Sequence, residues 1–141
     1  DDVSSYIKSI DSTKLIHIGE SGWATVSDGH YGKESSRAAD EYKAGTYYKL
    51  MREWTNKENI SLFYFEAFDE KWKDAGNPVG SENHFGLINM QSQAKYAIWN
   101  LVDAGIFKGL TRNGKPITKT FGGDDKKLWL DVKVPTRIIK N

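Results

Sequence analysis

Glu20 closes the run Leu15-Ile16-His17-Ile18-Gly19-Glu20, and Ser21, Gly22 and Trp23 follow it. A carboxylate held at the end of an apolar strand can attack an anomeric carbon. It then leaves as an ester that water or a second sugar opens, which is the nucleophilic chemistry of glycosyl transfer. The same placement also suits an acid that pairs with a neighbouring base or caps a loop. Trp23, three residues past the acid, offers a flat apolar surface for a sugar ring or an ordinary packing residue.

A second acidic set comprises Glu66, Asp69, Glu70, Lys73 and, across a loop, Glu82. Strand alternation puts Glu66 and Phe68 on one face and turns Asp69 to the other, so only part of the set can line one pocket. Lys73 stands three residues after Glu70, where it can neutralise it. Acids and a lysine beside a nucleophile hold its proton balance and bind sugar hydroxyls. A charged, solvated loop has the same composition. His17 reads as a core histidine with its hydrogen bonds satisfied. His17, His30 and His84 share no metal-ligand spacing, and Asp69, Glu70 and His84 are too loose a grouping to read as ligands, so neither metal nor cofactor is expected.

The elements that must position these groups alternate in kind. Residues 3–10 read as the end of a helix. Residues 15–20 form a short, near-continuous apolar run of the type found in parallel sheets covered on both faces. From Ser35, the residues Ala38, Tyr42, Thr46, Leu50 and Trp54, flanked by Ala39, Tyr47 and Met51, mark one face of a helix that Ser35 or Ser36 would cap. Residues 60–68, rich in aromatic side chains, read as a second buried strand ending in Asp69 and Glu70. After a long loop through Gly76, Pro78 and Gly80, the residues Ala94, Ala97, Ile98, Leu101, Val102 and Gly105 mark another helix, with Gly109 as its stop. Strand, helix, strand, helix implies an α/β fold with parallel strands and functional groups at their carboxyl ends. Beyond residue 110 the pattern changes. Residues 117–121, a Gly-Gly-Asp-Asp turn, and the alternation of Leu128, Leu130, Val132 and Val134 predict a β-hairpin appendage. The division is thus 1–110 and 111–141.

Composition narrows the function classes. With 141 residues, 38% of them hydrophobic and 28% charged, the chain can bury a core and is not a disordered tail. A net charge of +1 with interspersed signs gives no basic run to track phosphates, so nucleic acid is not an expected partner. No stretch approaches the ~20 apolar residues that span a bilayer, and Asp1-Asp2-Val3 is unlike a signal peptide. The absence of cysteine excludes disulfide and thiol chemistry.

Three motifs in one order carry a resemblance: residues 18–23 (Ile-Gly-Glu-Ser-Gly-Trp), residues 64–73 (Tyr-Phe-Glu-Ala-Phe-Asp-Glu-Lys-Trp-Lys) and residues 82–87 (Glu-Asn-His-Phe-Gly-Leu). Together they resemble glycoside hydrolase family 17, the β-1,3-glucanases and related glucanosyltransferases, over roughly residues 15–107. The resemblance implies a (β/α)8 TIM barrel, of which this chain is the C-terminal portion, with strands seven and eight and their helices. It implies a retaining mechanism with Glu20 as nucleophile at the end of strand seven. Glu70, Lys73 and Glu82 match the family's accessory acid, lysine and acid. Trp23, with Glu66 and Phe68, falls on the substrate side. Ser21 stands where threonine is common.

One departure follows. The family's general acid/base is a glutamate after an asparagine, and no Asn-Glu dipeptide occurs in this chain. A barrel of this kind takes about 250 residues, so the proton donor is expected upstream of Asp1. The implied partners are a laminarin-like β-glucan and the N-terminal half of the same barrel, or a second copy of the chain. Two other outcomes fit the same residues: a β-1,3-glucanosyltransferase, and a non-catalytic glucan-binding piece using Trp23 and Trp72. A polysaccharide substrate associates the protein with a secreted, periplasmic or cell-surface location.

Overall fold

A computed structural model describes residues 2–29 and 37–135. Helix α1 (Asp2–Ile10) leads into strand β1 (His17–Ser21), helix α2 (Glu41–Lys57) and strand β2 (Ser61–Tyr64). β1 and β2 run parallel, with His17 opposite Ser61 and Ile18 opposite Leu62. The register then shifts to pair Ser21 with Tyr64. This is the expected crossover unit. Both strands therefore deliver their carboxyl ends to the same edge.

The strands are shorter and more open than a doubly buried pair. β1 begins at His17, and β2 ends at Tyr64, so Glu66 and Phe68 lie beyond it. Leu15 is 78% exposed and Phe63 66%, because among the described residues each strand has only one strand neighbour. His17 is likewise exposed rather than a core histidine.

Helix α2 is capped by Asp40, and Ser35 and Ser36 lie outside the described residues. The Asp40 side chain accepts from the Lys43 backbone N–H at 2.9 Å, satisfying a donor that the first helical turn leaves open. The buried face of α2 is Ala44, Gly45 and Thr55. The expected stripe is displaced, since Leu50 is 59% and Trp54 39% exposed. Small residues win that face because Tyr96 and Ala97 pack close against it: a Cβ on Gly45 would lie 2.5 Å from the Tyr96 ring and 3.1 Å from the Ala97 nitrogen.

From β2 the chain passes through a loop and a 3-10 turn (Ser81–Asn83) to β3 (Gln93–Ala94), a second 3-10 turn (Tyr96–Ile98) and α3 (Trp99–Asp103). The predicted helix over 94–105 is thus cut short. Ala94 is occupied as a strand residue, and its carbonyl accepts from the Trp99 indole at 3.1 Å. Ile88, Ala94, Ala97 and Ile98 form the buried cluster, with Tyr48, Leu87, Leu101 and Ile117 against it.

The tail departs most from expectation. β4 (Thr111–Arg112) and β5 (Lys115–Pro116) form a tight antiparallel hairpin, and β6 (Thr118–Lys119) pairs in parallel with β3. The hairpin turns on Asn113 and Gly114, both with positive φ (52° and 72°), the conformation an Asn-Gly dipeptide favours. The strand expected over residues 128–134 is instead helix α4 (Asp125–Leu130), followed by irregular chain. Asp124 caps it, accepting from the Lys126 N–H at 2.9 Å. The alternation was deceptive: Leu128 is 2% exposed but Leu130 is 87% and Val134 80%. One inward leucine suffices to seat a short helix against the core.

Candidate active site

The site is built where β1 and β2 end side by side. Glu20 is exposed at the mouth of β1, and the next residue, Ser21, accepts from the Phe65 N–H at 2.9 Å through its carbonyl. The chains touch closely here: a Cβ on Gly22 would lie 1.9 Å from the Phe65 carbonyl oxygen, so only glycine fits. The Ser21 hydroxyl is hydrogen-bonded to the Tyr47 hydroxyl. Trp23, 42% exposed, packs its ring against Tyr47 with centroids 5.3 Å apart. Burial pushes the Tyr64 phenol up to about 12, against a hydrogen bond from the Trp23 backbone, so this wall of the site stays uncharged.

Past β2, residues 65–69 run beside the returning segment 85–88. The Glu66 N–H donates to the Phe85 carbonyl at 3.3 Å, and the Leu87 N–H to the Glu66 carbonyl at 2.9 Å. That clamp fixes the Glu66 carboxyl next to Lys73. The Lys73 ammonium donates to Glu66 Oε2 at 2.6 Å and lies 3.1 Å from Glu70 Oε2. It also stands 3.9 Å from the Phe65 ring centroid, a cation over an aromatic face.

Two carboxyls thus share one ammonium, and their environments push them apart. Burial raises the pKa of Glu66, as does the hydrogen bond and charge of Glu70, while Lys73 opposes both. The Lys73 hydrogen bond lowers that of the outer Glu70. Burial lowers the pKa of Lys73, yet its hydrogen bonds to Glu66 and Glu70 outweigh that and hold it above the ordinary value. The ammonium persists, and Glu66 is the member of the pair more ready to hold a proton. Glu66 Oε1 is buried with no hydrogen-bond partner among the described residues.

Glu82 sits in the 3-10 turn Ser81–Asn83, and the Glu70 N–H donates to the neighbouring Asn83 carbonyl at 3.3 Å. The buried Asn83 amide fastens the loop by donating to the carbonyls of Asp74 and Asn77 at 2.9 and 3.0 Å. Phe68 is 41% exposed and has the Arg112 guanidinium 4.5 Å from its ring centroid. Trp72 is 68% exposed.

Asp69 does not join this group. It is buried, and its Oδ1 accepts from Lys95 Nζ at 2.7 Å and from the Gly86 N–H at 2.9 Å. His84 Nδ1 lies 3.7 Å from Asp69 Oδ2, and its Nε2 is 2.8 Å from the Pro78 carbonyl oxygen. The Asp69 hydrogen bond holds the His84 pKa above its ordinary value, against burial. Asp69 and His84 are therefore loop fasteners. Among the described residues no group of three His, Cys, Asp or Glu has the geometry to hold a metal ion. His30 lies outside the described residues.

Lys95, Thr25, Glu41 and Arg112 escaped the sequence reading. Glu41, half-buried with its pKa raised by burial, accepts from the Thr120 hydroxyl at 2.6 Å and the Tyr96 N–H at 3.1 Å. For Lys95 a signal existed: a lysine between Ala94 and the apolar Ala97-Ile98 pair has no reason to be there unless its charge is used inside.

Parallel strands joined by a helical crossover, with acids and a lysine at or beyond their carboxyl ends, define an α/β protein. Residues 8–99 match the family described as "Glycosyl hydrolases family 17", and the chain belongs to that family. It is 36% identical over 93 residues to a glucan 1,3-beta-glucosidase of Arthroderma benhamiae, covering 60% of this chain and 28% of that protein. Against a glucan 1,3-beta-glucosidase of Saccharomyces cerevisiae it is 31% identical over 108 residues, covering 70% of this chain and 32% of that protein. The solved structure of an endo-laminarinase from Formosa Hel1_33_131 matches all of this chain at 57% identity with a TM-score of 0.85. That match takes in the tail, which the sequence motifs do not reach. The chain spans about a third of the length of these proteins: 28% and 32% of the two glucosidases and 37% of the laminarinase.

Proposed function

We propose that this chain forms the C-terminal part of a (β/α)8 barrel, with β1 and β2 as its seventh and eighth strands, and that the barrel hydrolyses β-1,3-glucan with retention. The observation that carries the reading is the Glu66–Lys73–Glu70 group, set at the end of the strand that pairs with the strand of Glu20. Glu20 attacks the anomeric carbon as the glycosidic bond breaks. The leaving oxygen takes its proton from an acid on the remainder of the barrel, about 5–5.5 Å across from Glu20. Water, deprotonated by that same group, then opens the ester and restores Glu20.

In this reading Lys73, Glu70 and Glu82 are the accessory groups of the site, with the Lys73 ammonium balancing the charge of Glu66 and Glu70. Trp23 and Phe68 supply apolar faces for sugar rings, and Glu66 stands with them on the substrate side. The likeness to glucan 1,3-beta-glucosidases and an endo-laminarinase supports β-1,3-glucan as the substrate class. A polymeric glucan in turn suggests a secreted or cell-surface setting. The experiment is reducing-sugar release from laminarin by the complete barrel containing this chain. Activity with retained anomeric configuration is expected. Laminarin that binds without cleavage would make this a glucan-binding domain instead.

A further inference from the structure

The buried Lys95 ammonium has three N–H donors and meets three acceptors: Asp69 Oδ1 at 2.7 Å, Thr25 Oγ1 at 2.9 Å and the His84 carbonyl at 3.0 Å. Its side chain is 5% exposed. Each acceptor belongs to a different segment of the site. Thr25 is two residues past Trp23, Asp69 is the residue before Glu70, and His84 is two residues past Glu82. The base of the side chain is itself fixed, because the Lys95 N–H donates to the Leu87 carbonyl at 2.8 Å. Leu87 in turn holds the Glu66 carbonyl.

We propose that Lys95 is a positioning residue that locks the three loops of the site into one register, so that Trp23, Glu70 and Glu82 are held together around Glu20. This rests on the hydrolase reading above. The reason for a lysine is geometric. An ammonium is a compact centre whose three donors diverge, so one atom can hold three segments at once, whereas a neutral amide at this place offers two donors. Asp69 supplies the charge that makes burying the ammonium tolerable, and the Gly86 N–H donates to the same Oδ1 of that carboxylate. Thr25 closes the frame by donating from its hydroxyl to the same His84 carbonyl at 3.2 Å.

The complete barrel containing this chain is the protein to test, with laminarin as substrate. Lys95→Met alone leaves Asp69 buried with only His84 and the Gly86 N–H against it, so the deciding variant is Lys95→Met with Asp69→Asn, in which neither charge of the buried pair remains. The expected result is a kcat lowered about tenfold or more, since small displacements of positioning groups are costly, at a Tm close to that of the parent. Amide hydrogen exchange is expected to rise together over 22–29, 68–73 and 80–86. Thr25→Val removes the Thr25 leg together with the hydroxyl's own bond to the His84 carbonyl, and exchange should rise most over 22–29 with a smaller loss in kcat. Parent-like kcat and exchange in the double variant would mean that Lys95 merely neutralises Asp69, and would overturn the proposal. Should the double variant not fold, unchanged exchange over 22–29 in Thr25→Val overturns it equally. A parent barrel inert on laminarin defeats the hydrolase reading, and the exchange pattern then decides the three-loop lock by itself.

Discussion

Lys73 Nζ lies 2.6 Å from Glu66 Oε2, in a pair whose two side chains are each 14% exposed. Glu66 stands beyond the end of β2, and Lys73 reaches it from the following loop while also holding Glu70. One cation thus ties the strand end to the loop and sets two carboxyls in unlike environments.

Removing that cation leaves Glu66 and Glu70 facing each other. In the complete barrel, Lys73→Met should lower kcat on laminarin by on the order of 10²-fold or more. Adding Glu66→Gln removes the buried charge and should recover Tm but not kcat. Equal recovery of both would make the group structural.

Glu20→Gln keeps the shape of the β1 mouth and removes the nucleophilic charge. Turnover of laminarin should fall by about 10³-fold or more with Tm unchanged, because Glu20 is exposed. Near-normal turnover would exclude it as nucleophile.

The raised pKa of His84 gives a pH dependence of known sign. Asp69 and the Pro78 carbonyl favour the imidazolium in the folded state. Its stabilisation is fully present below the ordinary value of 6.5 and is lost as pH rises through the higher folded value. Denaturant unfolding should therefore show His84→Asn destabilised relative to the parent at pH 5 and much less so at pH 9. A gap that is constant with pH would contradict this.

Residues 1–141 expressed alone should not give a well-behaved monomer. Leu15 at 78%, Phe63 at 66% and Val3 at 71% exposure, on and beside two parallel strands, present apolar surface and open edges. Light scattering should find association, and laminarin cleavage should require the remaining part of the barrel. A stable monomer that cleaves laminarin unaided would overturn the partial-barrel reading.

Local rules made much of this legible in the sequence. The apolar run to Glu20 and the aromatic run over 60–68 predicted two strands, the second of which ends early, at Tyr64, before the acids that follow it. The alternation with helices predicted that the strands run parallel. Each depends on neighbours within a few residues, where backbone geometry fixes direction. The same locality explains the failures at 128–134 and in the face of α2. Alternation of leucines and valines cannot tell a half-buried strand from a short helix when only Leu128 is inside, and here the Asp124 cap decided for helix.

What the tertiary structure alone decided are contacts between residues far apart in the chain. Lys95 and Thr25 are 70 positions apart, and Thr120 and Glu41 79. Neither pair leaves a periodic trace, because the partner of a buried ionic or polar group is whichever group the packed backbone brings within 3 Å of it. A sequence records that Lys95 stands among apolar residues and must be satisfied; only the closing of the three loops around it determines by what.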